Sequence, residues 1–172
     1  MKKIKDRFLL GIISGFGGNI AKMAVEGFFN KMGFSSGSGR KTAAGIFLKN
    51  SDINTPHGKA VGVIADNMIA AGLGVTCTYW LTLMGKDYYL VKGAGLGAAE
   101  WTSLYGVLSK LGASSIFPVK PKDAVAAYVS HLAFGAVKIS IARHLGDERL
   151  FKPKNLTLEI QEAQELLPHK KD

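Results

Sequence analysis

At 172 residues, with 47% hydrophobic content, 21 glycines and a net charge of +9, the chain fits one compact domain rich in small apolar residues. Its cations are spread over termini and connectors instead of gathering on one aromatic-studded face, which argues against a nucleic-acid partner and for anionic lipid headgroups. Cys77 is the single cysteine, so neither an internal disulfide nor a multi-cysteine metal site is available.

The first seven residues are basic. The apolar run behind them, residues 8–29, continues past signal-peptide length and as a helix would cross a hydrocarbon layer roughly 30 Å thick. We read it as a retained first span that carries Lys22 and Glu26. Residues 30–59 form the longest connector, with a flexible run at Ser35, Ser36, Gly37, Ser38 and Gly39 followed by a short interfacial helix over residues 41–49. Residues 60–84 and 88–108 supply the second and third spans, and Tyr79, Trp80, Tyr88 and Tyr89 mark one membrane boundary as an aromatic belt. Pro118 and Pro121 break the chain before the fourth span, residues 124–142. Beyond Arg143 the sequence turns polar, and Leu156, Ile160, Ala163 and Leu167 share one face of a short amphipathic helix, opposite Glu159, Glu162 and Glu165. The expected fold is all-α: an integral membrane bundle of four transmembrane helices within residues 1–145, then a polar cytoplasmic tail over residues 146–172.

Charged side chains in such spans are costly and face a bundle interior. Counted from the span ends, Lys22, Asp66, Glu100 and His131 fall at nearly one depth, roughly 10 Å below the membrane face opposite the termini. Lys22 can then pair with Asp66 or Glu100, and His131 can donate to the remaining carboxylate. Small residues share helix stripes with these groups. Gly11, Gly15, Gly18, Lys22 and Glu26 recur on the first span, Gly93, Gly97 and Glu100 on the third, and Ala127, His131, Gly135 and Lys138 on the fourth. Glu26 and Lys138, nearer the span ends, are expected to extend toward interfacial water. Lys22 against Asp66 and Glu100 leaves one excess negative charge, which a protonated His131 or a protonated acid would balance. The layer reads either as a paired network that fixes which helices meet or as a site that binds or relays a proton or ion.

Other motifs are weaker. Residues 93–98 fit the loose dinucleotide pattern, but no alternating strand and helix units supply the parallel sheet such a site requires. In residues 37–42, Arg40 separates Gly39 from Lys41 and Thr42 and no apolar strand precedes them, so this stretch reads as linker and not as a phosphate loop. His57, His131, His144 and His169 lie in different regions, and Ser130 and His131, being neighbours on a helix, point in different directions. No enzymatic activity, cofactor or metal is expected. Lysines and arginines divide almost evenly between the two faces. The densest clusters flank the first and last spans, which places both termini in the cytoplasm and leaves dual insertion and antiparallel homo-oligomers open.

The first span has the order Gly11, Ile12, Ile13, Ser14, Gly15, then Lys22, Ala24 and Glu26, and the fourth has Ser130, His131 and Leu132 followed by Arg143. These two spans resemble a family of small bacterial inner-membrane proteins of unknown function typified by YagU, in which a glycine-rich opening helix carries a lysine and a glutamate four residues apart. The long 30–59 connector departs from that family. The resemblance implies a multi-pass protein of the bacterial cytoplasmic membrane, points to Lys22, Glu26 and His131, and implies no activity.

Overall fold

The computed structural model describes residues 3–151. The expected amphipathic helix of the tail lies outside the described residues. Three long helices dominate, α1 (Arg7–Lys31), α3 (Pro56–Met84) and α6 (Pro121–Leu145), and each is long and apolar enough to cross a membrane. A short helix, α2 (Gly39–Ala44), lies in the connector. Between α3 and α6, α4 (Tyr89–Trp101) runs directly into a π-helical segment (Thr102–Val107) and a closing turn, α5 (Leu108–Lys110). No strand occurs among the described residues, and the architecture is all-helical.

Local chemistry sets the boundaries. The Asp6 carboxylate accepts from the Leu9 amide at 2.6 Å, and Thr55 accepts from the Gly58 amide at 3.0 Å ahead of Pro56, so α1 and α3 each start on a capping side chain. Pro121 occupies the first turn of α6, where its missing amide hydrogen is no loss. Gly85, at φ 71°, stops α3 in a left-handed conformation that suits glycine.

Packing order follows from the small residues. α1 lies between α3 and α6, and α6 lies between α1 and α4, whereas α3 and α4 splay apart after the turn that joins them. A methyl group on Gly11 or Gly15 would strike the α3 backbone at Val75 or Ala70, and one on Gly18 would lie 2.9 Å from the Phe134 carbonyl of α6. Across the bundle, a methyl on Gly135 would lie 2.8 Å from the Gly97 amide, and one on Gly93 would lie 2.7 Å from the Gly135 carbonyl. Backbones at such separation exchange dispersion contacts that bulkier residues would prevent.

The two ends of the bundle differ. At the end where α1 begins and α6 ends, an apolar core of Leu10, Cys77, Leu81, Ile139 and Ala142 is closed by Leu150 and Phe151. There Ile4 hydrogen-bonds both Leu145 and Asp147 and clips the amino terminus to the end of α6. Toward the connector the interior becomes polar. The outer surface has the opposite character: Phe8, Ile20, Ile64, Met68, Leu83 and Val91 are exposed while Lys138 and Asn19 are fully buried. Apolar groups outside and charged groups inside are what lipid surroundings favour, and the three long helices make the chain compatible with a membrane protein.

Candidate functional site

Lys22 of α1 and Asp66 of α3 face each other at the α1–α3 contact, with Nζ 2.5 Å from Oδ1. Asn19, one turn earlier on α1, donates from Nδ2 to the other Asp66 oxygen at 3.0 Å and to Asn67 Oδ1 at 3.3 Å. Asp66 is thus held by two donors from one helix stripe, the i and i+3 spacing that places side chains one above another. A second buried pair joins the other two helices: Lys138 of α6 bonds Glu100 Oε1 of α4. Glu100 Oε2 and Asn19 Oδ1 are buried and without a hydrogen-bond partner among the described residues.

Phe134 stands between the two pairs, its ring centroid 4.2 Å from Lys138 Nζ and 6.0 Å from Lys22 Nζ. The ring supplies a π face to one ammonium group and separates the two like charges. Lys138 originates well below the level of Glu100. It reaches the layer because side chains on a helix tilt toward its amino terminus and a lysine stem is long.

These positions revise several expectations. Lys22 takes Asp66, one of the two partners open to it, and Glu100 goes to Lys138, which does not extend to interfacial water. His131 bonds the Ala127 carbonyl through Nδ1 at 2.8 Å, a link within its own helix, and bonds no carboxylate among the described residues. Glu26 is also buried, and its Oε1 accepts from the Gly39 amide at 3.1 Å.

That last contact brings the connector into the site. α2 spans Gly39–Ala44, not residues 41–49, and its first residue sits among the charges. A methyl group on Gly39 would lie 2.8 Å from Lys22 Nζ, 3.1 Å from Asp66 Oδ1 and 3.2 Å from Glu26 Oε1. The run before it is fixed by Asp123 at the start of α6, whose Oδ1 accepts from Ser35 Oγ at 2.7 Å, the Ser36 amide at 2.8 Å and the Gly37 amide at 3.1 Å. From the other side Ser114 Oγ donates to the Thr42 carbonyl and the Ser115 amide to the Gly45 carbonyl, both at 2.8 Å. Sequence reasoning missed Gly39 as part of the site, because a serine-glycine run looks like linker until its distant partners are known.

Two spaces meet the charged layer. A vestibule of about 230 Å³ on the connector side is lined by Glu26, Ser38, Lys41, Thr42, Lys120 and Asp123. A smaller cavity of about 50 Å³ lies beyond it, with Lys22, Asp66 and His131 among its lining residues. Tyr105 borders both. It projects from the π segment, and its ring is 5.6 Å from His131 and 5.7 Å from Phe117. π turns cluster at functional sites in general, and here the widened turn lies beside the polar layer. Among the described residues no group of histidine, cysteine and carboxylate side chains is arranged to hold a metal ion.

Comparison of the chain with protein-family models, curated proteins and solved structures finds no match. The functional reading therefore rests on the residues and their geometry.

Proposed function

We propose that the chain is a four-span integral membrane protein of the bacterial cytoplasmic membrane, with no enzymatic activity, whose buried charge layer fixes which helices meet. It would serve as a structural or interaction component. The observation that carries this reading is the matching of charge across helix contacts: Lys22 on Asp66 links α1 to α3, and Lys138 on Glu100 links α6 to α4. A buried charge that loses its partner is costly, so such pairs select one arrangement of helices over others. Residues 89–110, helical throughout and about 30 Å long, would be the remaining span, third in chain order. Both termini are placed in the cytoplasm, with anionic lipid headgroups around the basic ends and homo-oligomers formed through the lipid-facing surface. Kinship with the YagU-typified family belongs to the same proposal.

A second reading, a small proton- or ion-coupled transporter acting as an oligomer, is favoured by one observation. Glu26 is a third carboxylate in the layer, forms no ion pair among the described residues, and borders the vestibule. Proton and cation flux into liposomes containing the purified chain separates the two. The structural reading predicts flux no higher than in protein-free liposomes, with the protein folded. Flux that disappears in Glu26→Gln and Glu100→Gln would overturn it and assign the layer to transport.

A further inference from the structure

The smaller cavity has features that ion-pair packing does not require. Its walls are apolar: Ile69 and Leu73 of α3 face Leu104 and Leu108 of the π segment and α5. Because α3 and α4 splay apart, these walls bound a cleft on the flank of the bundle, where a bilayer would lie. The far side is aromatic, with Tyr105, Phe117 and Phe134 around the cavity. The polar lining beyond Tyr105 is Lys22, Thr42, Asp66, Ser114 and His131, and the Thr42 and Ser114 hydroxyls already donate to the Ser38 and Thr42 carbonyls.

The charge state of that lining restricts what can enter. Lys22 and Asp66 already neutralise each other. A ligand carrying a net charge would add an unmatched charge to a low-dielectric interior, which is strongly unfavourable. His131 supplies the specific group. Its Nδ1 faces a carbonyl oxygen and so carries the ring proton in the neutral imidazole, which leaves Nε2 as an acceptor. The residue is 3% exposed, Nε2 has no partner among the described residues, and this nitrogen is not among the fully enclosed polar atoms, so it opens on the cavity that His131 lines. An acceptor in such a place is satisfied by a hydroxyl donor.

We propose that this cavity binds an uncharged, membrane-dissolved amphiphile with a hydroxyl head and an alkyl chain. The hydroxyl donates to His131 Nε2, and the chain lies between Leu73 and Leu104 in the cleft. The site rests on the membrane reading, since its mouth is useful only if it faces lipid. Neither the ion-pair network nor the transport reading calls for an alkyl-lined mouth.

The test is equilibrium binding of radiolabelled 1-dodecanol to the full chain in phospholipid nanodiscs, with empty nanodiscs subtracted. The expected result is saturable binding of one molecule per chain and a rise in unfolding temperature of roughly 5 °C near saturation. Dodecane, dodecanoate and dodecyltrimethylammonium should compete at least about tenfold more weakly, the factor that one hydrogen bond or one mismatched charge supplies. Leu104→Trp should abolish binding by filling the cleft. His131→Phe should weaken it by about tenfold, and Leu73→Trp provides an independent block if either variant unfolds. Three results would overturn the proposal: non-saturable uptake equal to that of empty nanodiscs, equal competition by dodecane or by a charged analogue, and full binding by a folded Leu104→Trp or Leu73→Trp. A chain that does not enter nanodiscs at all refutes the membrane reading and the site together, whereas a folded chain in nanodiscs without saturable binding refutes the site alone.

Discussion

Replacing Lys138 with methionine removes one ammonium group from a position that is fully buried and leaves the buried Glu100 without its ion-pair partner. Breaking a buried pair from one side costs about 3–5 kcal/mol, because the remaining charge has lost both water and its partner. Glu100→Met alone should fall in the same range. The double variant Lys138→Met/Glu100→Met fills the same space with two flexible apolar side chains and carries no orphan, so its cost should drop to about 1 kcal/mol or less. The coupling energy from the cycle is then at least about 5 kcal/mol, well above the roughly 0.6 kcal/mol typical of ordinary hydrogen bonds between membrane helices. Reversible unfolding in mixed micelles, followed by circular dichroism for all four proteins, measures it. Single-variant costs that add to within about 0.5 kcal/mol in the double variant would mean that Lys138 and Glu100 do not act as a pair, and the charge-matching account would fall.

Gly39→Ala inserts a methyl group among Lys22, Asp66 and Glu26. It should destabilise by about 1–3 kcal/mol and expose the connector, read as faster cleavage near residue 40 in limited proteolysis. Gly97→Leu drives a side chain into the His131 carbonyl at the α4–α6 contact. It should lower the unfolding temperature more than Gly95→Leu, whose position faces open space. Asp147, a partly buried residue beyond α6, has its carboxyl lowered to about 2 by the Arg149 side chain and amide. A depressed acid contributes stability above its unfolded value, near 4, and loses it as pH falls through about 2. Asp147→Asn should therefore lower stability at neutral pH, remove the fall between about pH 4 and pH 2, and converge with the parent protein near pH 2.

What the sequence reveals here depends on how local each cause is. The glycine spacing of α1 and the small residues of α4 and α6 are readable from periodicity alone, because a stripe of residues without side chains can serve little except close approach. Lys22, Asp66 and Glu100 are readable as inward-facing charges for the same kind of reason. The pairing is not. Lys138 looks like an interfacial residue when depth is counted along Cα positions, and only the tilt and length of its side chain carry the ammonium group up to Glu100. Gly39 and Asp123 are hidden because their contacts join residues far apart in sequence, and the run from Ser35 to Gly39 has the composition of a free linker. The π segment has no local signature either. Its wider turn places Tyr105 against His131, a tertiary requirement that no spacing rule records.

The measurement that tests the account most directly is sided labelling of single cysteines in sealed membrane vesicles, in a Cys77→Ala background. Ser36→Cys and Ser115→Cys lie on the connector side, and Asp87→Cys lies in the turn between α3 and α4; all three positions are exposed. The account predicts that a membrane-impermeant maleimide labels Ser36→Cys and Ser115→Cys from one face of the membrane and Asp87→Cys only from the other, with the chain retained after alkaline washing. Labelling of all three positions from the same face, or release of the chain by the wash, would contradict it.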